Sequence, residues 1–229
     1  MNQHSVQKAY LKNFEVNGRI CVYDKDLGKY FKRSANHCAS ETDYQSEEFE
    51  SFQNKKIESP GILKLRALAE DIPLKEGDLE VILKWTALHG LRSKLFRKSS
   101  GVDYQAEFKE RLEIDSLFAN YFQYAFVYKS PKDKYFITSD HPVIDFTVQN
   151  KISRILVWSP TLAFGFSSID DFPIHEVETT EIINSMIYSS CNNEIFTNQS
   201  TLPIETYEAH IKKWELEYEF KDRKFSVKY

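Results

Sequence analysis

The chain has 229 residues, a formal net charge of −4, and is 41% hydrophobic and 14% aromatic. That is ample for a buried core, and it argues against a uniformly basic nucleic-acid-binding face, leaving only a local basic patch for such a role. Three widely spaced cysteines, Cys21, Cys38 and Cys191, form no Cys-x-x-Cys pair, which argues against a disulfide framework or a Cys-rich zinc site and predicts reduced thiols.

The leading Met1-Asn2-Gln3-His4 lacks the apolar core of a secretory signal. No apolar run approaches the roughly 20 residues that a membrane-spanning helix needs. The expectation is a soluble, cytoplasmic protein with no membrane partner. Val6, Tyr10, Leu11 and Phe14 share one helical face, with Ser5 as N-cap and Asn17-Gly18 as the stop. Arg19 to Asp24, a Lys25 to Gly28 turn, and Lys29 to Arg33 read as a hairpin, and Ser34 to Gln45 as polar loop with at most one short strand.

Helices are then expected in succession. Ser46 caps one carrying Phe49 and Phe52, and Ser59-Pro60 opens another with Ile62, Leu65 and Leu68 inward. Asp78 caps a longer one through Trp85, Leu88, Leu91 and Leu95, and Asp103 starts the last, carrying Phe108, Leu112, Phe118, Tyr121, Phe122 and Ala125. From Lys134 onward a two-residue period returns: Tyr135 to Thr138, Val143 to Phe146, Ile155 to Trp158 and Leu162 to Phe166 read as strands, followed by a helix over Glu178 to Ser190, a short strand at Glu194 to Phe196, a helix over Pro203 to Trp214 and a polar tail. The expected fold is one α+β domain over residues 1–229, a mixed or antiparallel sheet from the N- and C-terminal segments with a helical central part at about 46–128.

The candidate site centres on Thr138-Ser139-Asp140-His141-Pro142-Val143. Pro142 biases His141 away from helix and cannot donate to a ladder, so a strand ends in a polar corner, where Ser139 and Asp140 can face a cleft. Two segments together resemble the DUF4238 family, mostly bacterial proteins: His4 followed by Tyr10-Leu11-Lys12-Asn13-Phe14, and Thr138 to Val143. Leu88-His89-Gly90-Leu91-Arg92 is similar to a Leu-x-x-x-Arg helix end of that family, and Asn184 to a later helical Asn. The family often carries Val-Pro-Gln after its His, whereas this chain has Val6-Gln7-Lys8. The resemblance implies a shared pocket and supplies no reaction.

His4 is a candidate acid or base near neutral pH, Asp140 its orienting carboxylate, and Arg92 a planar fork for phosphate or carboxylate. Each has a structural alternative: a histidine bonded to a backbone carbonyl, an Asx turn, a solvated helix end. Ser139, Asn184, Tyr10 and His89 join as candidate binding residues. No metal-binding spacing is present, although His141 and Asp145 add donors, so no metal site is assigned; cofactors are unknown, with a divalent cation such as Mg2+ as the candidate. Two functions follow as expectations. One is a phosphate-substrate hydrolase, a nuclease or nucleotide-acting effector in bacterial stress or defence, with nucleic acid or nucleotide as partner. The other is a non-catalytic sensing or adaptor protein that binds a protein or small ligand.

Overall fold

The computed structural model describes residues 2–42, 45–92, 106, 109–110, 112, 122, 124–148, 151–168 and 179–219. Strand β1 (Asn2–His4) leads into α1 (Lys8–Leu11) and a 3-10 turn over Lys12–Phe14. Ser5 does not cap that helix. Its N–H and hydroxyl both donate to the Ala39 carbonyl, at 2.9 and 3.1 Å, which prolongs the pairing of β1 with β4 (Ser40–Thr42). Val16 and Arg19 close a two-residue turn in which Asn17 and Gly18 both take left-handed φ, 53° and 71°, the conformation Asn-Gly tolerates best. The hairpin β2 (Ile20–Asp24) and β3 (Lys29–Arg33) follows as expected.

The central helices depart from expectation where proline acts. Helix α2 (Glu47–Gln53), capped by the Ser46 hydroxyl as predicted, runs through a π-helical turn, Asn54–Glu58, into α3 (Ser59–Ala69) without a break. Ser59 is therefore no cap; its hydroxyl donates to Asn54 Oδ1 at 2.9 Å. Pro60 has no N–H for the carbonyl one α-turn back and its ring would collide with it, and the wider π turn removes that conflict. Helix α4 (Asp78–Leu91) has Gly77, at φ 82°, as N-cap rather than Asp78, whose carboxylate instead holds the Lys75 N–H at 3.0 Å and the Lys64 ammonium at 2.8 Å. A Cβ at Gly61 would stand 2.4 Å from the Trp85 Cβ, so glycine is what lets α3 and α4 approach there. The expected helix start at Asp103 and its residues Phe108, Phe118 and Tyr121, like Leu95, lie outside the described residues.

Two four-stranded sheets complete the α+β fold, and all their pairings are antiparallel. The first has the order β3-β2-β10-β6, with β6 (Thr138–Ser139) and β10 (Glu194–Thr197) joining the early hairpin from far along the chain. The second has the order β5-β9-β8-β7, formed by β5 (Tyr124–Lys129), β7 (Val143–Val148), β8 (Lys151–Ser159) and β9 (Leu162–Ser167). Ala125, expected in a helix, lies in β5, and the helical part stops short of 128. Tyr135 to Ile137 is not strand: Asn184, on α5 (Thr179–Ser190), accepts from the Ile137 N–H at 3.0 Å and donates to the Tyr135 carbonyl at 2.8 Å. A side chain thus occupies backbone groups that a neighbouring strand would have taken. Helix α6 (Ile204–Glu219) runs past the expected Trp214. Val6, Tyr10, Phe14, Trp85, Phe136, Phe164, Ile183, Phe196 and Tyr207 share one buried cluster, so segments from His4's neighbourhood to α6 pack on the same core. Among the described residues no helix is long and apolar enough to cross a membrane.

Candidate functional site

The predicted residues fall into two groups, joined through Tyr10. Its ring is fully buried against Phe14, Trp85 and Trp158, with centroids at 5.8, 5.6 and 6.1 Å. Its hydroxyl donates to the Val157 carbonyl of β8 and receives the Thr138 hydroxyl of β6 at 2.7 Å. Burial holds the phenol far above its usual range, so it stays protonated and can make both bonds. Asn13 donates to the Trp158 carbonyl at 3.0 Å. The Tyr-Leu-x-Asn-Phe pattern is accordingly a pin between the two sheets.

The first group gathers at the end of α4. His89 is fully buried, with its ring stacked on Trp85 at 3.7 Å between centroids. Its Nδ1–H donates to the Trp85 carbonyl at 2.9 Å, and its Nε2 accepts the Gln7 N–H at 3.2 Å. Those two bonds fix one neutral tautomer. Burial first and the Arg92 charge second lower its pKa to about 3. The Gln7 side chain in turn accepts the Trp85 indole N–H at 3.0 Å. Arg92, 2% exposed, donates from Nε to Gln53 Oε1 at 3.0 Å and from one terminal nitrogen to Glu58 Oε1 at 2.6 Å; its other terminal nitrogen also reaches Gln53. It touches the His4 carbonyl at 3.5 Å, and the His4 ring donates from Nδ1 to the Cys38 carbonyl at 3.2 Å. Burial lowers the pKa of the half-buried His4, opposed by the Cys38 carbonyl and, more weakly, by Glu50 and Glu58.

The second group surrounds β6. The Asp140 carboxylate, 5% exposed, accepts the N–H groups of Asn192, Asn193 and Glu194 at 3.0, 2.9 and 3.2 Å and the Cys191 thiol at 3.5 Å. Burial pushes its carboxyl upward; those N–H groups pull the other way without cancelling it. Asp140 does not orient His4, the role expected of it, and does not pair with Arg92: the Cys38 carbonyl takes the His4 ring N–H, Glu58 and Gln53 take the guanidinium, and the stretch after α5 takes the carboxylate. Ser139 closes a tight turn, donating to the His141 carbonyl at 2.8 Å and accepting the His141 N–H at 3.1 Å. Asn184, besides its two bonds to the 135–137 segment, donates to the Tyr207 hydroxyl at 3.3 Å.

The profile of the family described as "Protein of unknown function (DUF4238)" matches residues 2–125, more than half of the chain. The chain belongs to this family. No curated protein and no solved structure matches it. The matched part of this DUF4238 chain contains His4, Tyr10, His89 and Arg92 and ends before Ser139, Asp140 and Asn184.

Sequence reasoning missed the partners of Arg92. Gln53 and Glu58 are five residues apart, a spacing an α-helix turns to different faces; the π turn between them brings both to one guanidinium. It also missed a second buried cation. Arg154 grips both oxygens of Asp145, at 2.6 and 2.7 Å, donates to Thr86 on α4 at 2.9 Å, and lies over the Phe122 ring. A cation at Asp145 would have to displace that guanidinium. Among the described residues no three His, Cys, Asp or Glu side chains converge into a metal cage.

Proposed function

We propose that this DUF4238 protein is a non-catalytic sensing or adaptor protein, whose motif residues fix its architecture and whose surface binds a small ligand or a protein. One observation carries the reading: the Asp140 carboxylate, the natural partner for an acid–base histidine, is buried under three backbone N–H groups and a thiol. A general base must reach the proton it removes, and a carboxylate committed to loop amides does not. His89 supports the same reading, because both ring nitrogens are engaged within the fold. The phosphate-hydrolase alternative needs His4, Arg92 and Asp140 around one pocket, whereas the Asp140 carboxylate is bonded to residues 191–194 and to neither of the other two. We place the protein in the cytoplasm, where its three free thiols suit a reducing compartment, and take 1–229 as one α+β domain, in keeping with the shared core.

The test compares the native protein with Asp140→Asn for hydrolysis of p-nitrophenyl phosphate and bis-p-nitrophenyl phosphate, with and without Mg2+, alongside melting temperature. The expected result is no turnover above buffer for either protein and a lower melting temperature for the variant. Turnover by the native protein that falls roughly 100-fold or more in a folded Asp140→Asn variant would overturn the proposal.

A further inference from the structure

A second polar feature lies away from the buried clusters, on the outer side of the first sheet. The Val16–Arg19 turn, strands β2 and β3 and the 198–200 segment enclose a groove of about 230 Å3. Arg19 and Lys32 both line it. Cys21 lines it too and pairs across the ladder with both Lys32 and Thr197. The remaining polar lining is supplied by amide and hydroxyl side chains, Asn17, Asn198, Gln199 and Ser200, and no carboxylate among the described residues lines the groove.

Arg33, Arg92 and Arg154 are each matched to a carboxylate, and Lys64 and Lys134 likewise. Arg19 and Lys32 have no ion pair among the described residues, although the chain carries a net charge of −4. Two unmatched cations in one concave surface favour a positive potential there, and the amide donors of the same lining supply hydrogen bonds without opposing charge. A closed turn holds Arg19, since Val16 and Arg19 exchange backbone bonds of 2.8 and 3.1 Å, and the β2–β3 ladder holds Lys32. The framework is in place before any ligand arrives.

We infer that this groove binds a small phosphate-bearing molecule, with the phosphate dianion bridged between Arg19 and Lys32. Two positive charges match a dianion better than a single carboxylate, and the arginine fork can give it paired bonds. The side-chain amides serve its remaining oxygens or a polar stem, and Val16 offers an apolar wall. This inference is independent of whether the buried polar clusters are catalytic.

Cys21 reports occupancy, because it is the accessible thiol while Cys38 and Cys191 are buried. The full chain is titrated at pH 7.5 with inorganic phosphate and, separately, with glycerol 3-phosphate, against sodium chloride at matched ionic strength. Iodoacetamide alkylation of Cys21 and backbone amide shifts are the two readouts. Saturable protection of Cys21, with shifts confined to the 16–21, 32 and 197–200 stretches, is expected for glycerol 3-phosphate. In the R19Q/K32Q variant, whose substitutions are exposed, affinity should fall roughly tenfold or more at an unchanged melting temperature. Saturation by inorganic phosphate alone would overturn the phosphomonoester assignment. Protection that chloride reproduces, shifts spread over the whole surface, or affinity unchanged in R19Q/K32Q would overturn the site itself.

Discussion

Arg92 is a buried charge held by several side chains. It lies at the end of α4, 2% exposed, with the Glu58 carboxylate 7% exposed beside it. Removing one member leaves the other charged and buried, which costs about 3–5 kcal/mol, whereas replacing both with well-packed apolar groups is often neutral or better. Arg92→Met should therefore lower stability by about that amount in urea denaturation, and Arg92→Met with Glu58→Met should recover much of the loss. A double variant less stable than the single one would mean that Glu58 is not the partner that matters. Tyr10→Phe offers a neutral comparison: it orphans the Val157 carbonyl and the Thr138 hydroxyl, at a cost of about 1–3 kcal/mol.

At the scale of elements, the meeting of α3 and α4 depends on the absence of one methyl group. Ala in place of Gly normally favours a helix by roughly 0.5–1 kcal/mol. At Gly61 the added Cβ would stand 2.4 Å from the Trp85 Cβ, and Trp85 belongs to the α4 backbone stretch that also positions His89. Gly61→Ala should lower the melting temperature, with a cost of about 1–3 kcal/mol for forcing the helices apart; an unchanged or raised melting temperature would contradict the crossing. Which elements were legible from sequence follows from the range of the forces involved. The Ser46 cap and the β2–β3 hairpin are set by neighbours in sequence, and they appear where local chemistry places them. The π turn was hidden because its driver, Pro60, also fits the first turn of a new helix. Tyr124–Lys129 was hidden because Phe118, Tyr121, Phe122 and Ala125 satisfy a helical period while Phe126 and Tyr128 satisfy a strand period. Only pairing with β9 decides between them.

For the whole molecule, three histidines share one bias. Burial lowers the pKa values of His4, His89 and His141 below the ordinary 6.5, that of His89 to about 3. A group with a depressed folded pKa binds its proton more readily when unfolded, so the stability it contributes is full above about 6.5 and is lost as pH falls toward the folded value. Asp140, whose carboxyl burial raises, acts in the opposite sense and offsets part of this. The melting temperature should fall from pH 7 to pH 4, and His89→Gln should flatten the slope over that window; a flat native profile would contradict a neutral, buried His89. The candidate site was legible as a set of residues but not as an arrangement. His4, Tyr10, Arg92 and Asp140 could be picked out by type and motif, while their partners, Cys38, Val157, Glu58 and the 192–194 amides, come from chain segments that only the folded sheets bring near. Arg154 and Asp145 were recoverable in principle, since each stands four positions from Gln149-Asn150 and a hairpin there makes them opposite neighbours.

If the motif carboxylates and cations hold the fold together rather than face a substrate, as proposed, amide hydrogen exchange at residues 192–194 should show it. Those N–H groups lie in the segment that joins α5 to β10, and the Asp140 carboxylate accepts all three. Slow exchange of all three is expected in the native protein, and at least roughly tenfold faster exchange in Asp140→Asn under conditions where the core of β8 and β9 stays protected. Exchange of these amides at unprotected rates in the native protein would mean that Asp140 is not committed to the loop, and would return its carboxylate to the list of groups available for chemistry.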